Sequence, residues 1–200
     1  MDQIVQRSML KWPNVPAVYG WLRLDRRGNW LVKMPSGPGM PNRYERIRNA
    51  VVTDFIGRNY ARDESGRYFF QNGPQRVYVA CDYTPYVFRL DDAGTGFAAQ
   101  NGEPAAGLTR MMLDESGALL LECRPDVGVV LDRDLAKVIE AVRDSVADEE
   151  ELFAAVQGGE ARRIRICGQD LELAPVLSAE VPRRYGYVPH PAPPPGEREC

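Results

Sequence analysis

Four times the chain writes Asp, two further residues, Gly, and then a return to apolar or aromatic residues. The phrases are Asp25-Arg-Arg-Gly28 before Trp30, Asp63-Glu-Ser-Gly66 before Tyr68, Asp91-Asp-Ala-Gly94 before Phe97, and Asp114-Glu-Ser-Gly117 before Leu119. Asp suits the first position of a type I turn, because its carboxylate accepts bonds from nearby backbone N–H groups. Gly suits the position where φ turns positive. A type I turn closed by a left-handed Gly is a common three-residue hairpin loop. The phrases therefore predict hairpin tips and a hairpin-built, largely antiparallel architecture. They are not calcium loops, which need oxygen ligands at alternating positions and a later bidentate Glu.

The remaining pattern supplies the elements between these turns. An apolar stripe of Ile4, Val5, Met9 and Leu10 predicts a helix over 2–11, ended by Pro13 and Pro16. Residues 19–24 and 30–34 read as strands around the first turn. Ile47, Val51 and Phe55 recur every four residues and predict a helix over 43–60, with Asn42 as cap. Residues 68–71, 76–81 and 86–90 read as a meander of strands. Pro74 follows Asn72-Gly73, which predicts a loop wider than a tight hairpin. The Gly-, Ala- and Pro-rich stretch 94–107 is the expected boundary between two halves. Leu135, Val138, Ile139 and Val142 predict a helix capped by Asp132 or Asp134, and a second begins at the acids 148–151 and stops at Gly158-Gly159. Residues 163–167 and 171–173 read as a last hairpin.

Together these predict an α+β fold of two small subdomains, each made of antiparallel β-hairpins packed by one or two helices. The expected organisation is a helix at 1–11, subdomains at 12–100 and 105–187, and a disordered, proline-rich tail at 188–200.

Composition then narrows the function. The chain has 200 residues, 44% hydrophobic and 26% charged, an ordinary soluble balance. The formal net charge is -3, and basic residues are interspersed with acidic ones, as in Arg43-Tyr-Glu45-Arg46. Neither nucleic acid nor a membrane is an expected partner. The cysteines at 81, 123, 167 and 200 form no Cys-x-x-Cys pair, and Cys81 and Cys167 stand in apolar, strand-like runs. A reduced, cytoplasmic setting is expected, because the N-terminus lacks a signal-peptide pattern and no apolar run is of membrane-spanning length.

The single histidine, His190, lies in the proline-rich tail. A multi-His metal site or a Ser-His-Asp arrangement is not expected. No phosphate loop and no strand-linked Gly-x-Gly-x-x-Gly is present. Neither metal nor cofactor is expected. The paired acids 63/64, 114/115 and 149–151 read as solvated turn tips or a helix start. The stretch 68–78 gathers aromatics, amides and an Arg around one loop. Its Gln71, Asn72, Gln75, Arg76 and Tyr78 are the candidate ligand-binding residues. Amide-to-backbone bonds that hold an irregular turn are the competing explanation.

The runs 11–28, 69–79 and 184–188, which include Trp12-Pro-Asn-Val-Pro16 and Phe69-Phe-Gln-Asn-Gly-Pro-Gln-Arg-Val-Tyr78, resemble a proteobacterial family of uncharacterised proteins, a domain of unknown function. The resemblance spans about 11–190. The order of turn, helix, strand and Asp82-Tyr-Thr-Pro85 is also similar to a second uncharacterised bacterial family, of two-subdomain α+β fold. Neither resemblance implies a reaction, a cofactor or a site residue. The expected function is a non-enzymatic binding or regulatory module for an unknown small molecule or protein. The alternatives are a small carboxylate enzyme around Asp82 with Arg76 or Tyr78, and a protein that self-associates through an edge strand or the aromatic face at 12–21.

Overall fold

The computed structural model describes residues 1–195 apart from 36, 38, 124–125 and 144–147. It contains two compact units, Met1–Tyr83 with Gly186–Cys200, and Thr84–Tyr185. The first holds α1 (Gln3–Lys11), β1 (Val18–Leu24), β2 (Trp30–Met34), β3 (Arg43–Arg46), α2 (Ala50–Arg58), β4 (Tyr60–Arg62), β5 (Tyr68–Asn72) and β6 (Gln75–Cys81). The second holds β7 (Tyr86–Leu90), β8 (Phe97–Ala99), β9 (Leu108–Asp114), β10 (Leu119–Cys123), β11 (Val127–Val130), α3 (Leu135–Arg143), α4 (Glu149–Gln157), β12 (Arg162–Ile166), β13 (Gln169–Val176) and α5 (Val181–Tyr185). The fold is α+β, with one sheet in each unit. No helix among the described residues is long and apolar enough to cross a membrane.

All four Asp-x-x-Gly phrases are hairpin tips with one bonding pattern. In each, the Gly N–H donates to the Asp carbonyl, at 3.0 to 3.1 Å. In each, the Asp Oδ1 accepts an N–H from four residues on, at 2.8 to 2.9 Å. The turn is thus held by a carboxylate folded back over its own backbone. This corrects the view of these acids as solvated tips: Asp114 is buried, and the Asp63 carboxylate is 11% exposed.

The hairpins are antiparallel, but the sheets they build are mixed. Strand order is β3-β2-β1-β6-β5-β4 in the first and β12-β13-β9-β10-β11-β7-β8 in the second. The parallel pairs are β1 with β6, β13 with β9, and β11 with β7. One topology underlies both sheets. Three meandering strands, a helical segment and a final hairpin return the last strand beside the first, in parallel. Thus β1, β2, β3, β5 and β6 correspond in order to β9, β10, β11, β12 and β13. The turns at Asp25 and Asp114 occupy the same place in this plan. The first sheet adds β4 outside β5, and the second adds β7 and β8 outside β11.

Alternation assigns the faces. Leu22, Leu24, Trp30 and Val79 share one face of the first sheet with Phe70, against which Phe55 of α2 packs edge-on at 5.5 Å. The equivalent face of the second sheet carries Met111, Leu113, Leu119, Leu121 and Leu173 under Val138, Val142, Leu152 and Val156 of α3 and α4.

Several expectations need correction. The 43–60 helix begins only at Ala50. Residues 43–46 instead form β3, paired with β2, and Asn49 rather than Asn42 caps the helix by accepting from the N–H groups of Val51 and Val52. Ile47 lies outside the helix, and Val51 points to solvent. The loop at Pro74 is not wide. Asn72 pairs with Gln75, so Gly73 and Pro74 alone form the turn. Gly73 takes φ +58, as a primed turn with Gly first requires, and Pro74 stands where no ladder N–H is needed. Strand β7 joins the second sheet, so β6 and β7 are not one meander. The 94–107 stretch carries β8 and the bridge between Ala98 and Pro104. Cys167 sits in the last turn at φ +50, not in a strand.

The start of the tail is ordered. Val188 bridges to Arg67, the Val188 N–H donates to the Gly66 carbonyl at 2.9 Å, and the Pro189 carbonyl accepts from Cys81 N–H at 2.8 Å. The Arg62 guanidinium donates to the Gly186 carbonyl. Residues 196–200 lie outside the described set. This strap explains a difference between two chemically identical turns. At Gly66 an added Cβ would overlap the Gly186 carbonyl oxygen, whereas at Gly117 it would meet nothing within 4 Å. Both glycines have positive φ, of 78 and 83°. Gly117→Ala should therefore cost about 1 kcal/mol, for backbone strain alone. Gly66→Ala should cost about 3 kcal/mol, with steric overlap added. Urea unfolding of both variants checks the difference, and equal losses would show that the strap does not press on this turn.

Candidate functional site

The β5–β6 hairpin splits the five candidate residues. Gln71, Arg76 and Tyr78 share the face of the first sheet that lies opposite Phe70 and Val79. Alternation turns Asn72 and Gln75 to the other face, beside the turn. Asn72 is exposed, and Gln75 Nε2 donates to the Pro16 carbonyl at 3.3 Å. Those two amides finish the hairpin and tie it toward β1. They match the structural explanation, and the other three residues share one face with aromatic and charged neighbours outside the five candidates.

Those neighbours are aromatic rings and two more charges. Tyr19 of β1 stacks on Tyr78 at 4.5 Å, and Phe69 meets Tyr78 edge-on at 6.0 Å. The three rings form a row across β1, β6 and β5, because Phe69 pairs with Tyr78 in register. Guanidinium groups lie on this row. Arg67 sits 4.6 Å from the Tyr78 ring centre and Arg76 sits 4.0 Å from that of Phe69. Cation–π attraction favours both placements.

Asp63 organises one end. Its Oδ2 accepts from the Tyr78 hydroxyl at 3.0 Å and from Arg67 Nε at 2.8 Å, while Oδ1 holds the turn. Burial alone would raise this carboxyl. The bonds from Arg67 N–H, the Tyr78 hydroxyl and the Arg67 guanidinium outweigh it and hold Asp63 below the usual carboxylate range. Asp63 is thus a fixed anion that neutralises Arg67. The sequence signal was present, because a turn Asp four residues before an Arg can fold back onto it.

Arg76 and Gln71 differ from this satisfied cluster. They are direct cross-strand partners. Arg76 makes no hydrogen bond or ion pair among the described residues, and its guanidinium rests on Phe69 alone. Gln71 is 2% exposed, and its Nε2 donates to the Gly73 carbonyl at 3.0 Å. Its Oε1 is buried with no hydrogen-bond partner. Such orphaned acceptors are rare in native proteins.

The carboxylate proposed for chemistry, Asp82, is ion-paired with Arg23, and the acid bonded to Tyr78 is Asp63. Among the described residues Asp82 makes no hydrogen bond or ion pair with Tyr78 or Arg76. In the second unit, an open groove of about 660 Å³ is lined by Thr95, Arg165, Cys167 and small residues. Burial pushes the Cys167 thiol up, so it is a poor nucleophile at neutral pH. Burial pushes Cys81 up to about 12 and Cys123 up to about 11.

Asp63 gives the site a pH signature. Its folded-state pKa lies below the unfolded value, so its stabilisation is present above the ordinary Asp range and is lost as pH falls through the folded value. Asp63→Asn should lower stability by about 2 kcal/mol at neutral pH, the scale of hydrogen bonds to a charged group. The gap to the parent should close in acid. Thermal unfolding of both proteins across a pH series checks this, and a gap independent of pH would show that the charge is immaterial.

Comparison with known proteins places the chain. A crystal structure of a DUF1285 family protein from Silicibacter pomeroyi is 16% identical, with a TM-score of 0.50 over 83% of this chain and 86% of that one. It shares the fold. A second DUF1285 family protein, from Shewanella baltica, is 12% identical, with a TM-score of 0.40 over 60% of this chain and 90% of that one. A search of curated proteins finds no significant match. The family model for DUF2944, described as "Protein of unknown function (DUF2946)", matches residues 1–192. That match covers both units, both sheets and the strap, and the chain belongs to the DUF2944 family.

Proposed function

We propose that the chain is a non-enzymatic binding module of regulatory type. Its recognition surface is the face of the first sheet that carries Gln71, Arg76 and Tyr78. One observation carries this reading: a buried acceptor without a donor stands directly across the ladder from a cation without an acceptor. A buried unsatisfied group costs stability, and a partner that supplies the missing bond recovers that cost. The network of Asp63, Tyr78 and Arg67 supports the reading differently. It is complete within the protein and fixes the rings on which Arg76 rests.

Native mass spectrometry of gently purified protein, beside the denatured chain, tests this reading. The expected result is a retained mass that disappears on denaturation and is lost in Arg76→Ala, with the circular dichroism unchanged. A retained mass that survives Arg76→Ala and Gln71→Met would remove this face from the reading.

A second reading, self-association, is favoured by the helices of the first unit. Ile4 and Leu10 of α1 are 71% and 84% exposed, and Val51 of α2 is exposed as well. Apolar side chains left in water this way mark contact surfaces when they gather. Light scattering on a sizing column should then show mass rising with concentration, and Leu10→Glu should abolish the rise. A monomer mass at every concentration would remove the idea.

A further inference from the structure

The face around Arg76 has a charge balance unlike that of the chain. Register places Arg46, Leu31 and Arg23 in one row of this face, with Tyr44 and Lys33 in the next. Ala80 continues the first row into β6, where alternation returns to Tyr78 and Arg76. Two cations here are neutralised within the protein, Arg23 by Asp82 and Arg67 by Asp63. Arg46, Lys33 and Arg76 make no ion pair among the described residues. Three uncompensated positive charges therefore stand on one sheet face of a chain whose net charge is -3.

We infer that this face docks an extended, acidic peptide segment of a partner protein, a proposal that rests on the binding-module reading above. Charge complementarity selects an anionic partner. Gln71 Oε1 is buried, so it is reached only when Arg76, its cross-strand neighbour, swings out to the partner's anionic group, and the partner must then carry a hydrogen-bond donor beside that group. A peptide offers both, with side-chain carboxylates for Arg76 and Lys33 and backbone N–H groups for Gln71. A bare mineral anion offers only the first.

The dimensions agree. Arg46 lies in the row of Ala80, three strands from it, and Arg76 stands four residues before Ala80 on β6. The offset is roughly 14 Å across the strands and about 13 Å along them, roughly 19 Å in all. About six extended residues span that distance, at about 3.3 Å each. Arg76, held only by its stacking on Phe69, is free to swing toward an incoming carboxylate. The rings argue against single-stranded nucleic acid. Such proteins stack bases on open aromatic faces. Tyr19, Tyr78 and Phe69 are only 3 to 4% exposed.

Fluorescence anisotropy on the full chain tests the inference. The probes are a labelled Glu-Ala repeat peptide, its Gln-Ala counterpart and an oligo-dT of equal length. The Glu-Ala peptide should bind, more weakly as salt rises. Binding should weaken at least about tenfold in Arg76→Glu, and also in Gln71→Met, which keeps the size but removes the acceptor. Arg163→Glu, an equal charge reversal on β12 of the second unit, should leave it unchanged. Equal, Arg76-dependent binding of the Gln-Ala peptide would overturn the acidic specificity and leave the binding face standing. Tighter binding of oligo-dT would do the same. If no probe binds, the inference falls. If in addition the natively retained mass is indifferent to Arg76→Ala, the binding face falls with it.

Discussion

The architecture depends on one kind of non-local contact, the parallel pairing of the first strand of each unit with its last. Hairpins form from neighbours in sequence and close cheaply. They leave open edges, and an isolated hairpin is marginal in water. Strand β6 returning beside β1, and β13 beside β9, joins local hairpins into a sheet wide enough to hold a helix on one face. The two pairings span long stretches of chain, so each loop must close before its contacts reward it, which makes these pairings the slow step in forming each unit. The first unit has a further long-range closure in the strap at 186–189, which bonds to Gly66 and Cys81.

The turn carboxylates link this scaffold to the candidate site. Each Asp satisfies backbone donors that a three-residue loop would otherwise leave unpaired. At Asp25, Asp91 and Asp114 the carboxylate bonds N–H and side-chain groups of the turn itself. Asp63 does more, because the β4–β5 turn lies against the row of rings and its second oxygen reaches Tyr78 and Arg67. A motif used four times for structure thus acquires, at one position, a role in fixing the ring beside the open cation. The difference arises from the neighbours and not from the motif.

That distinction explains what could be read from the sequence. Turns are local, so the Asp-x-x-Gly phrases gave the hairpins correctly. Asp148 likewise caps α4 where the acids predicted a helix start. Helix and strand were confused at 43–46, because Arg43-Tyr-Glu-Arg46 is polar on both faces and takes its state from β2 beside it. The periodic Ile47, Val51 and Phe55 misled, because Val51 faces water while Ile56 supplies the burial. The parallel pairs were invisible, since no local pattern records which distant strand completes an edge. Candidate residues on the 68–78 stretch were legible as types. Which of them face together depends on the turn, and reading Gly73-Pro74 as a wide loop concealed that Gln71 and Arg76 are opposite one another.

A sequence that specifies one fold usually satisfies its polar groups at every level, and departures gather where function is performed. The first sheet obeys this rule around Asp63 and breaks it one row away. Gln71 Nε2 serves the turn through the Gly73 carbonyl and Arg76 lies on the Phe69 ring, but these contacts leave Gln71 Oε1 without a donor and the Arg76 guanidinium without an anion. A buried acceptor without a donor beside a half-buried cation without an anion, on a face that also carries uncompensated charge, is hard to explain as packing. It is simple to explain as half of an interaction whose other half is a donor and an anion on another molecule.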